Sequence, residues 1–119
     1  GDMPTIMAGL ACGEPNTIGW DILRNHVSAF IAAQNSVAAR GMRMFAVPVK
    51  GDTAIISGES GAIGMGVIAN IMDKEEYKDL KEYLGLGKDS KVLIFSTEGN
   101  TDPDRFRDAV WEGAYNDLV

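Results

Sequence analysis

The sequence predicts an α/β domain, a partial three-layer αβα arrangement with short parallel strands, on three observations. Apolar segments follow the order strand–helices–strand–helices–strand–helix, which builds a parallel sheet with helices on its faces. Residues 90–96 (SKVLIFS) form a continuous apolar run, as in a strand buried on both faces. Loops rich in glycine and small polar residues follow each strand candidate: GLACGEPN at 9–16, GESGAIGMG at 58–66 and STEGNTD at 96–102. In open parallel sheets ligands bind beyond the carboxyl ends of the strands, so the three loops predict one crevice.

Each element has its own signal. Residues 4–8 (PTIMA) read as a short apolar strand. Asn16 or Thr17 can cap a first helix whose Trp20, Leu23, Val27, Phe30 and Ile31 recur on one face. Ser36 can cap a second helix from Val37 to about Phe45, stopped before Pro48. A Gly-Asp turn precedes the apolar strand 54–57, and VIANIMD beyond the next loop reads as a buried helix. KEEYKDLKEYLGLG is amphipathic, with Tyr77, Leu80 and Leu84 inward and Gly85 at its C-terminal cap. Asp102 and Pro103 supply a cap and a first-turn proline for a last helix, Asp104 to about Gly113. No repeat or linker divides the chain, so residues 1–119 are expected to form a single α/β domain.

Composition narrows the function. The chain has 119 residues with 11 Lys and Arg against 17 Asp and Glu, a formal charge of −6. That balance disfavours nucleic acid, whose binding releases counterions to a basic surface. No apolar run reaches the roughly 18 residues of a spanning helix, so no membrane role is expected. A single cysteine, Cys12, cannot close an internal disulfide and fits a reducing, cytoplasmic compartment. Its Gly-flanked loop offers no neighbouring base, which favours a packed thiol. His26 has no partner at ligand spacing, and no metal site is expected.

Two loops carry candidate chemistry. The glycines of GESGAIGMG either free helix N–H groups for a phosphate or let a buried helix pack closely, and neither familiar phosphate fingerprint is matched. Glu59 either caps that helix or faces the crevice. Ser96 and Thr97 offer neutral hydroxyls that can bond a ligand or their own backbone.

PTIMAGLACGEPNTIGW, RGMRM, ISGESGA, FSTEGNTD and VWEGAY together resemble the C-terminal part of the diaminopropionate ammonia-lyases. These belong with the fold-type II pyridoxal-phosphate (PLP) enzymes, which include tryptophan synthase β chain, threonine dehydratase and serine racemase. The resemblance runs over roughly residues 4–115. It implies that Ser96, with Thr97 as the adjacent alternative, bonds the pyridine nitrogen of PLP, and that Glu59 sits near the cofactor ring. Gly9, Leu10 and Ala11, with Cys12 beside them, would line the substrate side. A hydroxyl, unlike an aspartate, does not hold the ring nitrogen protonated, which favours elimination. The implied reaction is α,β-elimination of 2,3-diaminopropionate to pyruvate and ammonia, in a homodimer or other homo-oligomer.

The Schiff-base lysine and phosphate loop of that family have no match here. Lys50, Lys74, Lys78, Lys81, Lys88 and Lys91 lie in turns or on amphipathic faces. The chain thus resembles a C-terminal fragment, roughly a third of a lyase, inactive alone. Two other readings remain: a non-catalytic module binding a phosphate-bearing ligand at the Gly-rich loop, and another fold-type II amino-acid lyase or deaminase.

Overall fold

Small residues set the centre of the molecule. In a computed structural model describing residues 4–116, helix α2 (Asn35–Ala46) crosses α3 (Glu59–Asp73) through Ala38, Gly41, Ala62 and Gly66, all buried. A Cβ at Gly41 would overlap the carbonyl oxygen of Ala62, and one at Gly66 that of Val37. The two backbones therefore meet where side chains would hold them apart. Ala39, Met42 and Ala62 continue this contact to Ala109 of α5 (Pro103–Val110), with Phe45, Phe106 and Val110 around them. Arg40 donates to Asn70 Oδ1 and Asp73 Oδ2, tying α2 to the end of α3. Arg43 donates to the Ala109 carbonyl at 3.2 Å. Partial burial and the charge of Arg40 hold the Arg43 pKa below its ordinary value.

The remaining helices are peripheral. Helix α1 (Thr17–His26) begins at Asn16, whose Oδ1 accepts from Gly19 N at 2.8 Å. Helix α4 (Lys78–Tyr83) follows a 3₁₀ turn, Glu75–Tyr77, and Gly85 beyond it takes φ +68°. Helix α5 is capped as its sequence predicts: Asp102 Oδ1 accepts from Arg105 N, and Pro103 opens the first turn. For α2 the cap position falls on Gln34 rather than Ser36. Asn35 Oδ1 instead accepts from Thr5 Oγ1 and Ile6 N, holding the N-terminal segment on this helix.

The largest difference from expectation is the sheet. Among the described residues there is no β-strand; segments 4–7, 53–57 and 91–97 carry no ladder. A ladder needs neighbours that exchange hydrogen bonds along their length. Between segments 53–58 and 91–98 the one backbone hydrogen bond among the described residues joins their C-terminal ends, from Gly58 N to Glu98 O at 2.9 Å. Segment 4–8 ends in a 3₁₀ turn, Ala8–Leu10, that packs on α3. The apolar run is also uncovered, with Leu93 80% and Phe95 75% exposed.

Two further expectations change. The apolar face of the first helix is not buried: Trp20, Leu23, Val27, Phe30 and Ile31 are all exposed, and the helix stops at His26. The stretch 58–66 is not a loop, because α3 starts at Glu59; Gly66 serves the crossing with α2, while Gly58 and Gly61 admit Glu98 and Gly64 faces Ile94. The expected domain 1–119 includes residues 1–3 and 117–119, which lie outside the described residues.

Candidate functional site

The three segments predicted to form a crevice converge on the first turn of α3. Glu98 organises the meeting. Its Oε2 accepts from Ser60 N at 2.8 Å, its Oε1 accepts from Thr101 Oγ1 at 2.7 Å, and its carbonyl accepts from Gly58 N. A carboxylate on a free N–H of a helix's first turn is favoured by both the hydrogen bond and the helix dipole. Gly58 and Gly61 make the approach possible: a Cβ at Gly58 would stand 2.6 Å from Glu98 Cδ, and one at Gly61 2.9 Å from Glu98 N. From the N-terminal side, a Cβ at Gly9 would come within 3.1 Å of Ser60 Oγ.

Two hydroxyls face each other across this junction. Ser57 is fully buried, and its Oγ lies 2.7 Å from Ser96 Oγ, which sits on the exposed side. The sequence reading gave Ser96 a ligand or its own backbone as partner; the structure adds the Ser57 hydroxyl. Thr97 is exposed and makes no hydrogen bond through its hydroxyl among the described residues. The two neighbours thus differ in their own contacts: Ser96 is paired with Ser57 and Thr97 is exposed.

Glu59 is buried at 4% exposure, and its Oε1 has no hydrogen-bond partner. Arg105 Nε stands 3.7 Å away, within ion-pair range but too far for a hydrogen bond. The same guanidinium donates to the Ile6 carbonyl at 3.4 Å and approaches Asp102, so it joins α5, α3 and the N-terminal segment. Ser60 Oγ is likewise buried and unpartnered. Glu98, Arg105 and Ser57 were not singled out from sequence. Glu98 alone had a local signal, an acid in the loop after the last apolar run.

Other expected site residues lie nearby or remain apart. Gly9 and Leu10 belong to the exposed 3₁₀ turn on α3, Ala11 is half-buried behind it, and the Cys12 thiol is exposed rather than packed. No lysine bonds to Ser57, Glu59, Ser96 or Glu98 among the described residues. No group of His, Cys, Asp and Glu there is arranged to hold a metal ion. Two cavities of about 320 and 470 Å³ lie elsewhere, beside α4 and around Phe45. Neither is lined by Ser57, Glu59, Ser96 or Glu98.

A phosphate does not fit this helix N-terminus. Glu98 already occupies the Ser60 N–H, and Glu59 adds a second carboxylate to the first turn. An incoming anion would have to displace the Glu98 carboxylate from Ser60 N, which weighs against the phosphate reading of GESGAIGMG.

No protein-family model matches the chain. It is 56% identical over 115 residues to diaminopropionate ammonia-lyase of Escherichia coli, and 54% identical over 114 residues to that of Salmonella typhimurium. These alignments take in 97% and 95% of this chain, which spans 29% and 28% of the relatives' lengths. A crystal structure of the Escherichia coli enzyme with an aminoacrylate–PLP azomethine reaction intermediate superimposes with a TM-score of 0.89 at 54% identity. It covers 96% of this chain and 30% of that one. A second, with D-serine, gives 0.85 at 53% identity, over 90% of this chain and 27% of that one.

Proposed function

We propose that this chain, which shares sequence and fold with diaminopropionate ammonia-lyases over nearly its whole length, is the C-terminal portion of a PLP-dependent ammonia-lyase. The whole enzyme would convert 2,3-diaminopropionate to pyruvate and ammonia, and this portion would form one wall of its cofactor and substrate site. The convergence of Ser57, Glu59, Ser96 and Glu98 on the first turn of α3 carries the reading.

The residues present fit the cofactor ring and not its phosphate. Ser96 presents a hydroxyl on the open side of the wall, and Glu59 and Ser60 bring buried polar atoms without partners to the same turn. When bound, PLP supplies the electron sink that lets an α-proton and then a β-amine leave an amino acid. Ser96 would bond the ring nitrogen without adding charge. Glu98 would hold the Ser96 loop on α3, and Arg105 would balance the buried Glu59 carboxylate. Gly9, Leu10, Ala11 and Cys12 would border the substrate. The lysine and the phosphate cradle would belong to the remainder of the enzyme.

The fragment reading also accounts for the absent ladder. Segments 53–57 and 91–96 would pair with strands of that remainder to complete the αβα layers. The enzyme would act in the cytoplasm as a homodimer. D-serine in one relative's structure supports small α-amino acids bearing a β leaving group as the substrate class.

Activity of the complete polypeptide carrying this segment tests the proposal. Ser96→Ala is expected to lower β-elimination about tenfold, the scale of one hydrogen bond in a water-poor site. Thr97→Ala is expected to change it little. Unchanged turnover in both variants would remove the ring-nitrogen role.

A further inference from the structure

We propose that Ser57 is a positioning residue that fixes the Ser96 hydroxyl as an outward hydrogen-bond donor; this rests on the reading that Ser96 faces the cofactor ring. Ser57 has no exposed surface, and its hydroxyl's one hydrogen-bond partner among the described residues is Ser96 Oγ at 2.7 Å. A hydroxyl carries one proton and two lone pairs. If Ser57 accepted in this pair, its own proton would be buried with no acceptor among the described residues, an arrangement that is rare in folded proteins, Ser60 Oγ being an instance at this junction. The nearby Glu98 oxygens are already engaged by Ser60 N and Thr101 Oγ1. Ser57 therefore donates and Ser96 Oγ accepts. The Ser96 proton is left pointing to the open side.

The backbone holds this sense in place. The Gly58 N to Glu98 O bond brackets the serine pair at 2.9 Å. A Cβ at Gly61 would stand 2.8 Å from Ser57 Oγ, so the glycine is what admits the buried hydroxyl. A donor aimed at a heteroaromatic nitrogen pairs with its lone pair, and so favours the unprotonated ring. Ser57 would thus set the protonation state of a cofactor atom that it does not touch.

The complete polypeptide loaded with PLP, isotope-labelled at the ring nitrogen, provides the test. Ring-nitrogen NMR and the PLP dissociation constant are compared for the wild type, Ser57→Ala, Ser57→Cys and Ser96→Ala. Ser57→Ala is expected to move the nitrogen signal towards the protonated form and weaken PLP roughly fivefold, by loss of one oriented hydrogen bond. Ser57→Cys keeps the packing with a weaker donor and should fall between; it decides the question if Ser57→Ala does not fold. A Ser96→Ala shift, with wild-type signal and affinity in both Ser57 variants, would overturn the positioning role and leave Ser96 in place. An unmoved signal in Ser96→Ala would instead overturn the Ser96 assignment and this proposal with it.

Discussion

Glu98 shows what a single side chain can join. Through one carboxylate and one carbonyl it ties Gly58, Ser60 and Thr101 together. Glu98→Ala would strip the Ser60 N–H of its acceptor and free the loop that carries Ser96. Loss of a helix-capping interaction of this kind should reduce stability by about 1–2 kcal/mol. Urea unfolding checks it, and Glu98→Gln should retain part of the difference because its amide oxygen still accepts. The local sequence was enough to mark Ser96, Thr97 and Glu59, since each sits at the end of an apolar run. It was silent about Ser57 and Arg105 because their partners lie far along the chain, 39 residues away for Ser57.

Among the elements, α3 was the one most easily misread. Its glycines suggest a loop, because glycine weakens isolated helices by roughly 1 kcal/mol relative to alanine. Here close neighbours require them: Gly66 meets α2, Gly61 meets Ser57 and Glu98, and Gly64 meets Ile94. Gly66→Ala improves helix propensity yet drives a methyl onto the Val37 carbonyl. The expected result is a net destabilisation of about 1–3 kcal/mol, as for overpacked cores, measured by thermal melting. Gly87→Ala, where an added Cβ meets nothing within 4 Å, should leave the melt unchanged. The cap at Asp102 and the break at Gly85 were legible because both act within a few residues. The strands were not, because a strand is a relationship between segments, and periodicity describes only one of them.

The whole molecule exposes more than its size requires. Its accessible surface is 8731 Å², against about 6,300 Å² for a folded monomer of this mass. Its radius of gyration is 15.1 Å, against about 13.5 Å for a compact chain of this length. Large apolar side chains contribute to it, among them Ile18, Phe30, Leu93, Phe95 and Trp111. Exposed apolar surface drives association where it forms patches. The isolated 119-residue chain is expected to self-associate in light scattering, and a monodisperse monomer would contradict this. The sequence reading placed Phe30 on a helix's apolar face and Leu93 and Phe95 in a strand buried on both faces, all within this domain's own core.

The bond between the Ser57 and Ser96 hydroxyls closes entirely within this segment, as does the Glu98 bridge beside it. If the remainder of the enzyme brings the lysine and the phosphate cradle, the two parts answer to different selective demands. Substitutions in the remainder, or at residues 9–12 here, would retune which amino acid is admitted while the serine pair keeps its internal register. The electronic setting of the cofactor would then be inherited as a unit, and substrate preference could drift around it.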